Sequence, residues 1–310
     1  HIGYLRGEAR DKNPIAYAQW LKPVKRAQEL KMAGGDPKMA SIVKLSTTIL
    51  TDADVAEQMI EGGWVDDYLW LPDQGKNGTI MKWNGTIWET GRPDILNCQI
   101  SQVLHNPLEA YVVKHSTDPE NPLPALAKLN RLRSLSSINS IITQICAIKG
   151  SANSIKWNVQ EYKLGFTNGI LNLKTGMFEA GCKEDYMTQT TGYSLPLTVN
   201  SVVDGLRETE GKHIDEVKAL FDQILPEQDV RGVFWQILGS CLVGRTLEAI
   251  PVFTGVGRNG KGLTIQFIQN VLGDEMYYTG DNSVLQREVG TGGINQSLAN
   301  MGGKRCVVFS

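Results

Sequence analysis

The residues best suited to chemistry lie together in Gly255-Val256-Gly257-Arg258-Asn259-Gly260-Lys261-Gly262-Leu263. Gly255 and Gly260-Lys261 fit the spacing G-x-x-x-x-G-K. Glycines let successive backbone N–H groups converge on an oxyanion, because no Cβ stands in the way. Lys261 adds a full positive charge, and a helix starting there adds the partial charge of its N-terminus. The chemistry this pattern serves is phosphate binding. Gly262 stands where the pattern ordinarily has Ser or Thr, whose hydroxyl goes to Mg²⁺, so the match is good for phosphate and imperfect for metal.

Such a loop works between a strand and a helix. Ile250-Pro251-Val252-Phe253 is a short apolar run of strand character. From Leu263 the period becomes helical: Leu263, Phe267 and Val271 fall four apart, with Ile268 and Leu272 beside them, and Gly273 sits where a C-terminal cap belongs. Two helices, over residues 217–224 and 230–243, are predicted ahead of the loop, split by Pro226. Residues 304–310 read as a second buried strand. In phosphate-loop enzymes that strand typically ends in an acid that holds Mg²⁺, yet no Asp or Glu follows Glu288.

Further toward the N-terminus, Thr51-Asp52-Ala53-Asp54 is an N-cap cluster leading into Val55, Met59 and Ile60 on one helical face, stopped by Gly62-Gly63. Residues 64–90 read as β, with hairpin signals at Asn77-Gly78 and Asn84-Gly85. Trp64, Tyr68, Trp70, Trp83 and Trp88 are dense there and could stack on bases, but a small aromatic core is the favoured expectation. Residues 94–149 read as helices joined by a Pro-bearing stretch at 118–124. Leu126, Leu129, Leu132 and Leu135 mark an apolar face, with Lys128, Arg131 and Arg133 between them. Residues 166–178 form a hairpin by pattern, punctuated by Gly169 and Gly176.

Length permits two domains with separate cores. Hydrophobic residues make up 41% and charged residues 21%, the balance of a soluble globular protein. The net charge is −2, so overall charge does not mark a nucleic-acid binder. It is unevenly spread: residues 1–45 carry nine cationic against four anionic side chains, +5, which leaves −7 for the remainder. That arm is either a solvated linker or a segment near nucleic acid. The five cysteines, Cys98, Cys146, Cys182, Cys241 and Cys306, have no metal-ligand spacing and read as reduced thiols. No apolar run approaches a membrane span, and no signal peptide is visible.

In this order, several stretches resemble the superfamily 3 helicase half of viral and phage primase–helicases of the poxvirus type. They are Thr51-Asp52, Trp83-Asn84-Gly85-Thr86-Ile87-Trp88, the hairpin from Phe166 to Gly176, Thr191-Gly192-Tyr193, Leu238-Gly239 through Gly244, the glycine loop, and Asn300 through Ser310. The Asn259-Gly260-Lys261 triplet is typical of that family. The resemblance covers roughly residues 48–310.

It implies an α+β N-terminal module followed by an α/β P-loop domain of the AAA+ type: a basic linker arm over 1–45, a helicase-associated module over 46–205, and the first part of the AAA+ domain over 206–310. It also implies an ATP-dependent helicase of phage or viral replication in the host cell cytoplasm. Such a helicase is a ring, a hexamer, on single-stranded or forked DNA, with no membrane contact. ATP and Mg²⁺ are the implied cofactors. Lys261 carries over as the catalytic ligand of the β- and γ-phosphates, with residues 255–263 as the ATP loop. Thr264 is the remaining hydroxyl for the metal if the loop is shifted. The metal-holding acids, the sensor Asn and the arginine finger are expected beyond Ser310, and a primase before His1. The chain alone is therefore expected not to turn over ATP. The alternative is a non-catalytic DNA-binding or oligomerisation module that binds nucleotide without turnover.

Overall fold

A computed structural model describes residues 23, 25–47, 51–71, 79–116, 126–149, 155–196, 202–245, 250–286 and 296–309. Residues 1–22 of the basic arm, the Asn77-Gly78 turn and the stretch 118–124 lie outside these. The described residues are α+β, helices with three small sheets. They divide into two compact units: His1–Lys82 with Thr90–Ser154, and Trp83–Glu89 with Ile155–Ser310. The sequence division at 205/206 falls inside the second unit.

The first unit is mainly helical. A helix through residues 25–32 ends at Gly34 and Gly35, whose φ values of 68° and 88° turn the chain. Helices α1 (Pro37–Thr47) and α2 (Asp52–Glu61) follow. The N-cap of α2 is a full capping box: the Asp54 N–H donates to the Thr51 hydroxyl, and the Thr51 N–H donates to the Asp54 carboxylate. Strands β1 (Tyr68–Leu71), β2 (Thr79–Trp83) and β3 (Trp88–Gly91) make a sheet in chain order, β1 antiparallel to β2. Next comes α3 (Pro93–Cys98), which runs through a π turn (Gln99–Leu104) into α4 (His105–His115).

Leu126–Arg133 is a 3-10 segment, not the α-helical face expected, and α5 (Leu135–Lys149) follows it. The leucine spacing of three explains the difference. At three residues per turn, Leu129 and Leu132 eclipse one another, and both are buried. The unit's core is Leu45, Val55, Met59, Ile100, Leu104, Leu108, Leu132, Ile138, Ile141 and Ile145, with Trp64 and Tyr68 in the same cluster. The tryptophan-rich segment therefore does fill core.

In the second unit, β4 (Lys163–Phe166), β5 (Gly169–Asn172) and β6 (Met177–Glu179) form an antiparallel meander, as the hairpin pattern predicted. Helices α6 (Val202–Ile224) and α7 (Gln228–Leu242) precede the glycine loop, and α8 (Lys261–Met276) follows it. α8 breaks at Gly273 (φ 70°, ψ 171°), where the cap was expected. A Cβ there would stand 2.1 Å from the Thr191 carbonyl oxygen, so only glycine fits. β7 (Tyr277–Gly280) pairs in parallel with β8 (Cys306–Phe309), Tyr277 opposite Cys306, with two short helices between them: α9 (Ser283–Gln286) and α10 (Gln296–Met301). Leu164 and Phe166 of the meander share one core with Ile268, Leu272 and Met276 of α8 and with Tyr277.

The strand expected at residues 250–253 is not formed. These residues are irregular, and Ile250 and Val252 are exposed. An apolar run becomes a strand only when a neighbour takes up its ladder hydrogen bonds. Among the described residues none pairs with it. No described helix is long and apolar enough to cross a membrane.

Candidate nucleotide-binding site

The glycine loop leaves the irregular run after Phe253 and enters α8 at Lys261. Two residues turn it with left-handed backbone, Arg258 (φ 62°) and Gly260 (φ 84°). Gly260 is the N-cap of α8, and a Cβ there would also press within 2.8 Å of the Ile224 side chain, at the end of α6. Gly255 faces the Asn259 amide so closely that a Cβ would lie 2.0 Å from it. Gly257 and Gly262 meet nothing within 4 Å. The left-handed backbone at 260 favours glycine, and a Cβ at 255 would push the Asn259 side chain aside, whereas the space beside 257 and 262 is open to a ligand.

Lys261 turns into this loop. Its Nζ donates to the carbonyl oxygen of Gly255 at 2.9 Å, to Asn259 Oδ1 at 2.8 Å and to the Val256 carbonyl oxygen at 3.4 Å. No side chain caps α8, and its first turn holds no acid. The first backbone N–H groups of a helix have no intrahelical partner, so they face outward beside the ammonium. Leu263 is exposed at the start of α8, and Val256 is exposed at the tip of the loop. Thr264 is buried, and its hydroxyl donates to the Gly260 carbonyl oxygen at 3.1 Å. Among the described residues there is no group of three or more His, Cys, Asp or Glu that could hold a metal ion.

The loop borders a cavity of about 1450 Å³. Arg245, Lys304 and Arg305 line it together with Lys261, and no carboxylate does among the described residues. Sequence reading did not single out these three cations; the adjacent Lys304-Arg305 pair just before β8 was the available signal. Burial pushes the Arg305 guanidinium down to about 10. It donates to the carbonyl oxygens of Leu242 and Lys163, tying the end of α7 to the start of β4. Apolar walls come from Ile224, Leu225, Phe234 and Phe253.

Comparison with known proteins places the chain in a family. The D5 N terminal like family matches residues 74–228, half of the chain. Primase D5 of Fowlpox virus is 30% identical over 164 residues, 51% of this chain and 19% of its own length. A protein of Invertebrate iridescent virus 6 named as a helicase, 184R, is 24% identical over 324 residues, 88% of this chain and 31% of its own length. A stretch that long includes the glycine loop wherever it starts. A helicase-named protein of Acanthamoeba polyphaga mimivirus, L207/L206, is 27% identical over 175 residues, 55% of this chain and 17% of its own length. The chain belongs to the D5 N terminal like family, within the poxvirus-type primase–helicases. It spans between about a sixth and a third of the length of these relatives.

Proposed function

We propose that residues 255–263 are the ATP-binding loop of a superfamily 3 DNA helicase acting in viral or phage replication. The observation that carries this is Lys261. Its ammonium sits at the uncapped start of α8, held by acceptors of the glycine loop, which a polyphosphate can replace with its own oxygens. The cationic, carboxylate-free lining of the adjoining cavity favours the same ligand. Residues 206–310 are then the first part of an AAA+ domain, 46–205 the helicase-associated module and 1–45 a basic arm.

Mg²⁺ neutralises charge on the phosphates when it is bound. Gly262 offers it no side-chain oxygen, and the Thr264 hydroxyl is buried and donates to the Gly260 carbonyl oxygen, which leaves its lone pairs as the side-chain contact this turn could offer. The metal would then rely mainly on the nucleotide and on acids elsewhere in the protein. Lys261 orients the β- and γ-phosphates, and the N–H groups of residues 261–263 hold their oxygens.

The names of the relatives, helicase and primase, support a DNA motor. In this reading the whole protein is a hexameric ring on single-stranded or forked DNA in the host cytoplasm. The test is ATP-driven unwinding of a forked duplex by the whole protein and by its Lys261→Ala variant. Unwinding is expected to vanish in the variant; unwinding at the wild-type rate would refute the role of Lys261.

A further inference from the structure

Part of the cavity wall is remote from Lys261. Lys304 donates to the carbonyl oxygens of Asp274 and Glu275, at the C-terminal end of α8, at 2.9 and 2.8 Å, and Gln189 Nε2 donates to Glu275 at 3.4 Å. Lys261 begins the same helix, which runs to its break at Gly273, so at 1.5 Å per residue that far end stands roughly 16 Å from it. Asn158 belongs to this remote end. Its side chain exchanges hydrogen bonds with Thr188, Nδ2 donating at 2.7 Å and Oδ1 accepting at 2.8 Å, and Thr188 adjoins Gln189.

Beside Asn158 lies Trp157. Its indole is half-buried, set edge-on to Trp88 (centroids 6.3 Å apart, 77°) and to Tyr186 (5.8 Å, 86°), and it lines the cavity. Asn158 and Tyr186 both have left-handed backbone, φ 56° and 48°, and the Asn158 N–H donates to the Tyr186 carbonyl oxygen at 3.1 Å. Asn tolerates that region and Tyr seldom enters it. Backbone strain held by surrounding hydrogen bonds is a pointer to function. The neighbourhood is cationic: Lys156 is exposed, and Arg245, Lys304 and Arg305 line the cavity without a carboxylate among the described residues. The Glu275 carboxylate is occupied by the Thr190 N–H at 2.7 Å.

We propose that this end of the cavity is a contact for single-stranded DNA, in which Trp157 stacks a base and the adjoining, exposed Lys156 takes a flanking phosphate. A stacking platform beside cations is what such strands require, since every base has a π-face and every linkage a charge. The choice of ligand rests on the DNA-motor reading above; the site does not depend on Lys261.

The test is fluorescence anisotropy of a labelled oligo-dT with the wild type, Trp157→Ala and Trp157→Phe, each checked by circular dichroism. A second measurement maps photo-crosslinks from an oligonucleotide carrying 5-iododeoxyuridine. Trp157→Ala should bind about tenfold more weakly. Trp157→Phe, which keeps a stacking ring, should stay near wild type. The crosslinked peptide should contain Trp157. Unchanged affinity in Trp157→Ala, or crosslinks confined to other peptides, overturns the proposal. A wild type that binds no oligonucleotide overturns it too, while Lys261-dependent ATP binding would still stand as a separate result.

Discussion

The Lys261 ammonium donates to Asn259 Oδ1, two residues before it, at 2.8 Å, while the Asn259 amide lies where a Cβ on Gly255 would be. Asn259 thus shapes the loop twice: it holds the ammonium and keeps the Gly255 peptide close. Asn259→Ala leaves the Gly255 carbonyl as an acceptor, so Lys261 stays in the loop. ATP affinity should fall by only about fivefold, the worth of one hydrogen bond of about 1 kcal/mol. Titration of this variant checks it; a loss as deep as that of Lys261→Ala would make Asn259 a direct phosphate ligand.

Gly260→Ala should destabilise the second unit. The residue has φ 84°, and its Cβ would press on the Ile224 methyl groups. Left-handed backbone costs alanine about 1–2 kcal/mol. Gly257→Ala, with open space and no positive φ, should leave stability unchanged. Urea midpoints of the two variants distinguish them; equal midpoints would show that the turn at Gly260 is not held as described.

Gly262→Ser tests the metal. A side chain at 262 meets nothing in the protein, so the fold should be unaffected. The added hydroxyl should raise the Mg²⁺-dependent part of ATP affinity or leave it unchanged. A marked drop would show that the bound phosphate itself occupies that space.

In the first unit, Glu61 makes stability depend on pH. Burial raises its pKa, but the Gln58 amide (2.9 Å), Lys44 (3.4 Å) and Arg26 (3.9 Å) together outweigh that and hold the carboxyl below its ordinary value. A lowered folded-state pKa contributes stability above the unfolded carboxylate pKa of about 4.3, and that stability disappears as pH falls through the folded value. Glu61→Gln should therefore flatten the loss of stability on acidification below about pH 5. Denaturation midpoints of wild type and variant across pH 3–6 would test this; parallel curves would remove Glu61 as a cause.

Local signals were the legible ones. The Thr51–Asp54 box, the Gly273 break and the Phe166–Thr167–Asn168–Gly169 turn were readable because each is fixed within a few residues by hydrogen bonding or by φ. The 3-10 form of Leu126–Arg133 was not foreseen, although leucines three apart encode it. The run at 250–253 looked like a strand because its composition is right, but pairing is non-local and no described residue pairs with it. The candidate loop was legible in outline, since glycine spacing and Lys261 are local. Arg245, Lys304 and Arg305, and Trp157 likewise, reach the cavity only through tertiary packing.

The central claim is that Lys261 binds the phosphates of a nucleotide. Isothermal titration of ATP with Mg²⁺ into wild type and Lys261→Ala tests it directly. A hydrogen bond to a charged group contributes roughly 1.5–3 kcal/mol, so the variant should bind about ten- to a hundredfold more weakly. Its unfolding transition should be little changed, because the Lys261 ammonium bonds to acceptors of its own loop. Equal ATP affinity in the two proteins would contradict the account.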